Sequence, residues 1–132
     1  MQRVVMIDAL FADNNYIALK RMLDATELRH EALAANIANI ETPGYKRIDL
    51  PKNFNEEFAA CMAKGNAARL PAPTLVPDTD APTQRLDGNN VEMDKELLAM
   101  SSNTVQYDTL TEFVSNSLKQ LKTAITGQTQ SS

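Results

Sequence analysis

Asn36 and Asn39 stand three positions apart in the run Ala35-Asn36-Ile37-Ala38-Asn39-Ile40, which continues as Glu41-Thr42-Pro43-Gly44-Tyr45-Lys46-Arg47. Asparagine is a poor helix-interior residue, because its amide competes for backbone hydrogen bonds. Two of them on one face, interleaved with alanine, suit a face that another backbone approaches closely, with the amides bonding across the contact. The helix is then stopped. Pro43 keeps Thr42 out of the α region, and Thr42-Pro43-Gly44-Tyr45 reads as a type II turn with proline second and glycine third. This is the chemistry of recognition through amides and backbone, and not of making or breaking bonds.

Residues suited to catalysis or metal binding are sparse. The one histidine, His30, has no second histidine or nearby cysteine to complete a zinc set. It falls on a helical seam, where a polar residue sets register. The one cysteine, Cys61, cannot form an intramolecular disulfide, and paired with His30 it lacks an oriented third member. Asp78 and Asp80 begin a calcium-like spacing, but Pro82 stands at the third ligand position, Thr83 where the loop needs glycine, and Asn89 where it needs a bidentate glutamate. Only four glycines occur, and no phosphate-cradling loop. No catalytic residue, cofactor, metal or small-molecule substrate is expected. A net charge of −4 without a clustered basic face argues against nucleic acid.

The elements that must position the asparagine run follow from periodicity. Residues 1–13 form a short amphipathic lead, with Val4, Ile7 and Phe11 at helical spacing. Over 14–41, Tyr16, Leu19, Leu23, Thr26, His30, Leu33, Ile37 and Ile40 step by three and four, which is a helix with a heptad seam. Asp13, Asn14 or Asn15 can cap its start. Over 91–127 the pattern returns in Met93, Leu97, Met100, Thr104, Tyr107, Thr111, Val114, Leu118, Leu121 and Ile125. Asp87-Gly88-Asn89-Asn90 supplies a turn and a capping amide ahead of that helix, and Gly127 fits its stop. The connecting region, 42–90, is rich in proline and lacks a sustained period. Within it, Phe54, Phe58 and Met62 at spacing four mark a short helix near 54–64, and the rest is expected to be extended loop. Residues 128–132 are a polar tail.

The expectation is therefore a single all-α domain of 132 residues, its two long terminal helices pairing as a coiled-coil-like hairpin across a Pro-rich connection. One seam of burial does not offset the backbone entropy of so many helical residues. Leu28, Leu98, Val105 and Phe113 lie off the seam, and a second interface is their simplest use. The chain is expected to finish folding against neighbours. No cleavable signal peptide is visible, and no apolar run approaches the ~18 residues of a membrane helix.

Residues 35–47 resemble the N-terminal signature of bacterial flagellar rod and hook proteins, close to A-N-N-I-A-N-x-x-T-P-G-Y-K, with Ala35-Asn36-Ile37 where many relatives read Asn-Asn-Ile. Asp87-Gly88-Asn89-Asn90-Val91-Glu92, followed by a long helix through Asn103, Tyr107 and Leu118, is similar to the proximal-rod branch of that family, in which D-G-N-x-V precedes the closing helix. The short length agrees with that branch, and the resemblance covers about 14–47 and 86–125. It implies a structural subunit of the basal-body rod that polymerises helically with copies of itself. The implied neighbours are FlgC, FliE, the membrane ring and the export gate. It further implies departure through the flagellar type III apparatus without a cleaved signal, and gives Phe54 and Phe58 the spacing of an export-recognition element. The alternatives are another short rod subunit, FlgC-like, or a soluble coiled-coil binding module or export chaperone. The last two have no use for the 42–45 turn.

Overall fold

The computed structural model describes residues 13–82 and 85–127. The lead containing Val4, Ile7 and Phe11, the tail at 128–132 and Thr83 lie outside the described residues. The chain is mostly helical, with one two-stranded ladder. No helix among the described residues is long and apolar enough to cross a membrane.

Helix α1 spans Asn14–Ala38, and the Asp13 carboxylate caps it by accepting from the Asn15 amide. It ends before the expected residue 41. Asn39 Nδ2 reaches back to the Ala35 carbonyl at 2.8 Å and Asn39 Oδ1 accepts from the Thr42 hydroxyl at 3.1 Å, so the amide competes locally for the last helical turn. The buried line runs through Ala18, Ala25 and Ala32, seven residues apart, with Thr26, Leu33 and Asn36 beside it. Of the expected seam, Leu33 is buried, Leu19, Leu23, Ile37 and Ile40 are half-buried, and His30 is exposed. Small residues occupy the inner line because other elements approach α1 on two sides.

Those elements come partly from the connecting region. Strand β1 (Ile48–Asp49) pairs antiparallel with β2 (Val76–Pro77), Ile48 opposite Pro77 and Asp49 opposite Val76. This ladder replaces the loop expected there; two residues per strand are too short to leave an alternating pattern. Helix α2 spans Phe54–Ala63, close to the expected 54–64, and a 3₁₀ turn follows at Ala67–Arg69. Ala18, Ala67 and Leu70 form a small core with Ile17, Phe58, Cys61 and Met62 packed on it. Phe54 is buried, its ring centroid 6.3 Å from that of Phe58.

Helix α3 spans Met93–Thr126 and ends at Gly127, whose φ of +64° is a left-handed stop. The expected seam does not close over this helix. Leu97, Tyr107, Leu118 and Ile125 are exposed, while Met100, Val114 and Leu121 are half-buried. The positions turned fully inward are Glu96 and Asn103, seven residues apart. These polar residues are drawn in by bonds to α1. Glu96 Oε2 accepts from Asn36, and Asn103 Nδ2 donates to the Thr26 carbonyl. Thr104 and Thr111 are exposed, and their hydroxyls bond to carbonyls of their own helix. Leu98, Val105 and Phe113 are also exposed, and Leu28 is half-buried.

Candidate functional site

The residues just past α1 and those just before α3 are folded against one another, and Asn36 is the first tie between them. It is fully buried. Its Oδ1 accepts from the Ile48 amide at 2.9 Å and the Tyr45 hydroxyl at 3.2 Å, and its Nδ2 donates to the Ile48 carbonyl and to Glu96 Oε2. One amide thereby holds the start of β1, the aromatic ring after the turn, and α3. Its four bonds fill the hydrogen-bonding capacity of an asparagine side chain. Burial, and then the Glu96 charge, push the Tyr45 phenol above its ordinary pKa. The Asn39 side chain, expected to bond across the contact as well, bonds among the described residues only within its own turn.

The turn itself has the expected form. Gly44 has φ +73°, and the Tyr45 amide donates to the Thr42 carbonyl at 3.3 Å. The Gly44 amide donates to the Asp87 carbonyl at 2.8 Å, and Lys46 Nζ donates to the Gly88 carbonyl. A Cβ on Gly88 would stand 3.7 Å from Gly44 Cα, so two glycine turns meet backbone to backbone.

Asn89 has a different task from the one its position suggests. Glu92 occupies the cap of α3 with no side-chain cap bond. The Asn89 amide instead donates to the carbonyls of Asn39, Ile40 and Thr42 at 3.0, 3.0 and 2.8 Å. It thus closes the C-terminal end of α1, where carbonyls lack helical donors. Arg85 also donates to the Ile40 carbonyl. Asn90 takes the Arg47 amide on Oδ1 at 2.7 Å and donates to the Asp78 carbonyl. Asn89→Ala is expected to lower unfolding free energy by ~1–3 kcal/mol, since the half-buried Asn39 and Ile40 carbonyls lose a donor; urea titration followed by helix circular dichroism measures it.

Arg47 is the electrostatic centre. Its guanidinium reaches Glu96 at 2.8 Å, Asp78 at 2.5 Å and Asp49 at 3.0 Å, and Arg29 meets Asp49 at 3.1 Å. Burial works against the charge on Arg47, but the hydrogen bonds it donates to Glu96, Asp78 and Asp49 hold it more firmly protonated than usual. For Asp78, burial alone would raise the pKa, yet the Arg47 hydrogen bond and charge bring it below the ordinary value. The fork geometry of a guanidinium suits several carboxylates at once in a way an ammonium does not. Asp80 pairs with Lys52. Among the described residues no group of three or more His, Cys, Asp or Glu could hold a metal.

A family model for the "Flagella basal body rod protein" matches residues 23–46, the second half of α1 and the turn. The chain is similar to the flagellar basal body rod protein FlgB of Escherichia coli (strain K12), 34% identical over 125 residues, covering 77% of this chain and 88% of that protein. The chain belongs to the FlgB family of flagellar basal-body rod proteins. It is also similar to FlgB of Cereibacter sphaeroides, 35% identical over 114 residues, covering 77% and 86%. FlgB of Bacillus subtilis (strain 168) is 28% identical over 120 residues, covering 83% and 91%.

In this FlgB-family chain the bonds between the end of α1 and the segment before α3 form a polar clasp that gathers Asn36, Ala35, Asn39, Thr42, Gly44 and Tyr45, while Phe54 and Phe58 lie on α2. Sequence reasoning missed Arg47, Glu96, Asp49 and Asp78 as partners. One signal was available: Glu96 sits one residue from a seam position, where an inward carboxylate needs a cation.

Proposed function

We propose that the chain is a structural subunit of the proximal flagellar rod, adding helically to copies of itself. It joins FliE and the membrane ring with its export gate to FlgC and the rest of the rod, and transmits torque along it. The single observation that supports this is the division of the molecule. A polar clasp holds the two ends of the connecting region rigidly together, while α3 leaves Leu97, Leu98, Val105, Phe113 and Leu118 exposed. Exposed apolar residues repeated along a helix suit contact with neighbours better than life as a free module. α1 and α3 act as a coiled-coil-like hairpin, and parallel packing of such helices around an axis resists twisting. The direct test is complementation of a strain lacking its proximal-rod subunit, with the chain recovered in purified basal bodies.

Export and assembly fall on different residues. Departure uses the type III apparatus, with Phe54 and Phe58 as the recognition pair. Phe54 is buried in the folded subunit, so recognition takes place on a chain that has not closed α2 onto α1. Phe54→Ala with Phe58→Ala is expected to leave the protein inside the cell. Ile37→Asp, which puts a charge on a half-buried position, is expected to be secreted yet build no rod. Immunoblots of cell and culture fractions decide this, and secretion of the double phenylalanine variant at wild-type level refutes the recognition role.

A further inference from the structure

Beside Asn103 the two long helices stand apart. A cleft of about 310 Å³ opens there, walled by Thr26, Glu27, His30, Glu31, Asn103 and Tyr107. Asn103 is 2% exposed and donates to the Thr26 carbonyl at 2.8 Å, but its Oδ1 has no hydrogen-bond partner among the described residues. A buried acceptor without a donor is unfavourable. On the rim, Glu27 and Glu31 are exposed and make no ion pair among the described residues. The rim of the cleft thus carries two carboxylates without a cation, beside a buried amide oxygen without a donor.

Cations to match those carboxylates exist elsewhere in the chain. After Glu112, α3 carries no acidic residue and two basic ones, Lys119 and Lys122, both exposed and without an ion pair among the described residues. Leu118, Lys122 and Ile125 share one helical face by their spacing of four and three, and the two apolar members are exposed at 44% and 55%. They cannot reach the cleft of their own chain. The Asn103–Thr26 bond fixes the level of the cleft, and Lys122 lies 19 residues further along α3, roughly 28 Å at 1.5 Å per residue.

We propose that the cleft at Asn103 receives the C-terminal quarter of α3 from a second copy of the chain. Lys119 and Lys122 meet Glu27 and Glu31 on its rim. Leu118 and Ile125 pack on the Tyr107 side. This deepens the rod-subunit reading and rests on it. Exposed ion pairs add little affinity; here they select the partner and its stagger, and apolar burial supplies the rest.

Two experiments test the contact, both at exposed positions that leave the fold alone. In a Cys61→Ser background, Glu27→Cys with Lys122→Cys is oxidised in purified basal bodies. The spacing forbids a bond within one chain, since a disulfide needs Cα atoms within ~7 Å. The expected product is a ladder of multiples of 14.6 kDa. In parallel, Glu27→Lys with Glu31→Lys, and Lys119→Glu with Lys122→Glu, are each expected to abolish swimming, and the four changes together to restore it. No ladder from basal bodies that contain the chain, a product of another mass, or a fourfold variant no better than either pair overturns the proposal. Absence of the unmodified chain from basal bodies overturns the rod reading itself, and this contact with it.

Discussion

Arg47→Leu is expected to unfold the joint between the two long helices and to abolish assembly. Three carboxylates converge on this guanidinium, and the Glu96 side chain is only 2% exposed. Removing one partner of a buried ion pair costs ~3–5 kcal/mol, because the other charges stay buried and uncompensated. That is a large share of the ~5–15 kcal/mol by which a typical domain is stable. Circular dichroism should show lost helix at neutral pH. Acid gives a second readout. Asp78 titrates below its ordinary value when folded, so its stabilisation is whole above the ordinary carboxylate range near ~4 and fades as pH falls through the lower, folded value. The wild-type chain should therefore lose stability in acid below about pH 4. Arg47→Leu should move the opposite way, recovering helix as the stranded carboxylates take up protons. A variant as stable as wild type at pH 7 would show that the cluster is dispensable.

What the sequence disclosed divides by the range of the interaction. The helices at Asn14–Ala38, Phe54–Ala63 and Met93–Thr126, the positive φ of Gly44 and the stop at Gly127 were legible. Each depends on spacing or on a residue's own conformational limits. The inward face of α3 was not. Apolar periodicity pointed to Leu97, Tyr107, Leu118 and Ile125, whereas Glu96 and Asn103 are the buried residues. Periodicity assumes that hydrophobic residues choose the face, and here the hydrogen bonds that Glu96 accepts from Asn36 and Arg47, and the one Asn103 donates to the Thr26 carbonyl, choose it. Asn89 misled for a related reason. An asparagine ahead of a helix is ordinarily its cap, and only the fold reveals that the end of α1, fifty residues earlier, lies closer to its amide. The β1–β2 ladder left no trace because strands of two residues have no period.

Gly44→Val is expected to abolish swimming with little change in protein level. At φ +73° a β-branched side chain is a severe misfit. Space is not the obstacle, since a Cβ there would meet only the Asp87 carbonyl, at 4.0 Å; the backbone conformation is. To relieve the strain the turn must open, and three bonds depend on its shape. The Gly44 amide donates to Asp87, the Tyr45 amide to Thr42, and Asn89 donates to the Thr42 carbonyl. Losing them frees the segment leaving α1 from the one entering α3, so the exposed faces of α3 no longer hold a fixed place relative to α1. Gly44→Asn is the matched control, because asparagine visits the left-handed region at small cost. It should swim at close to the wild-type rate in soft agar, while the valine variant stays where it was inoculated. Equal spreading of the two would mean that rod assembly does not need the left-handed turn, and that the rest of the clasp aligns the helices without it.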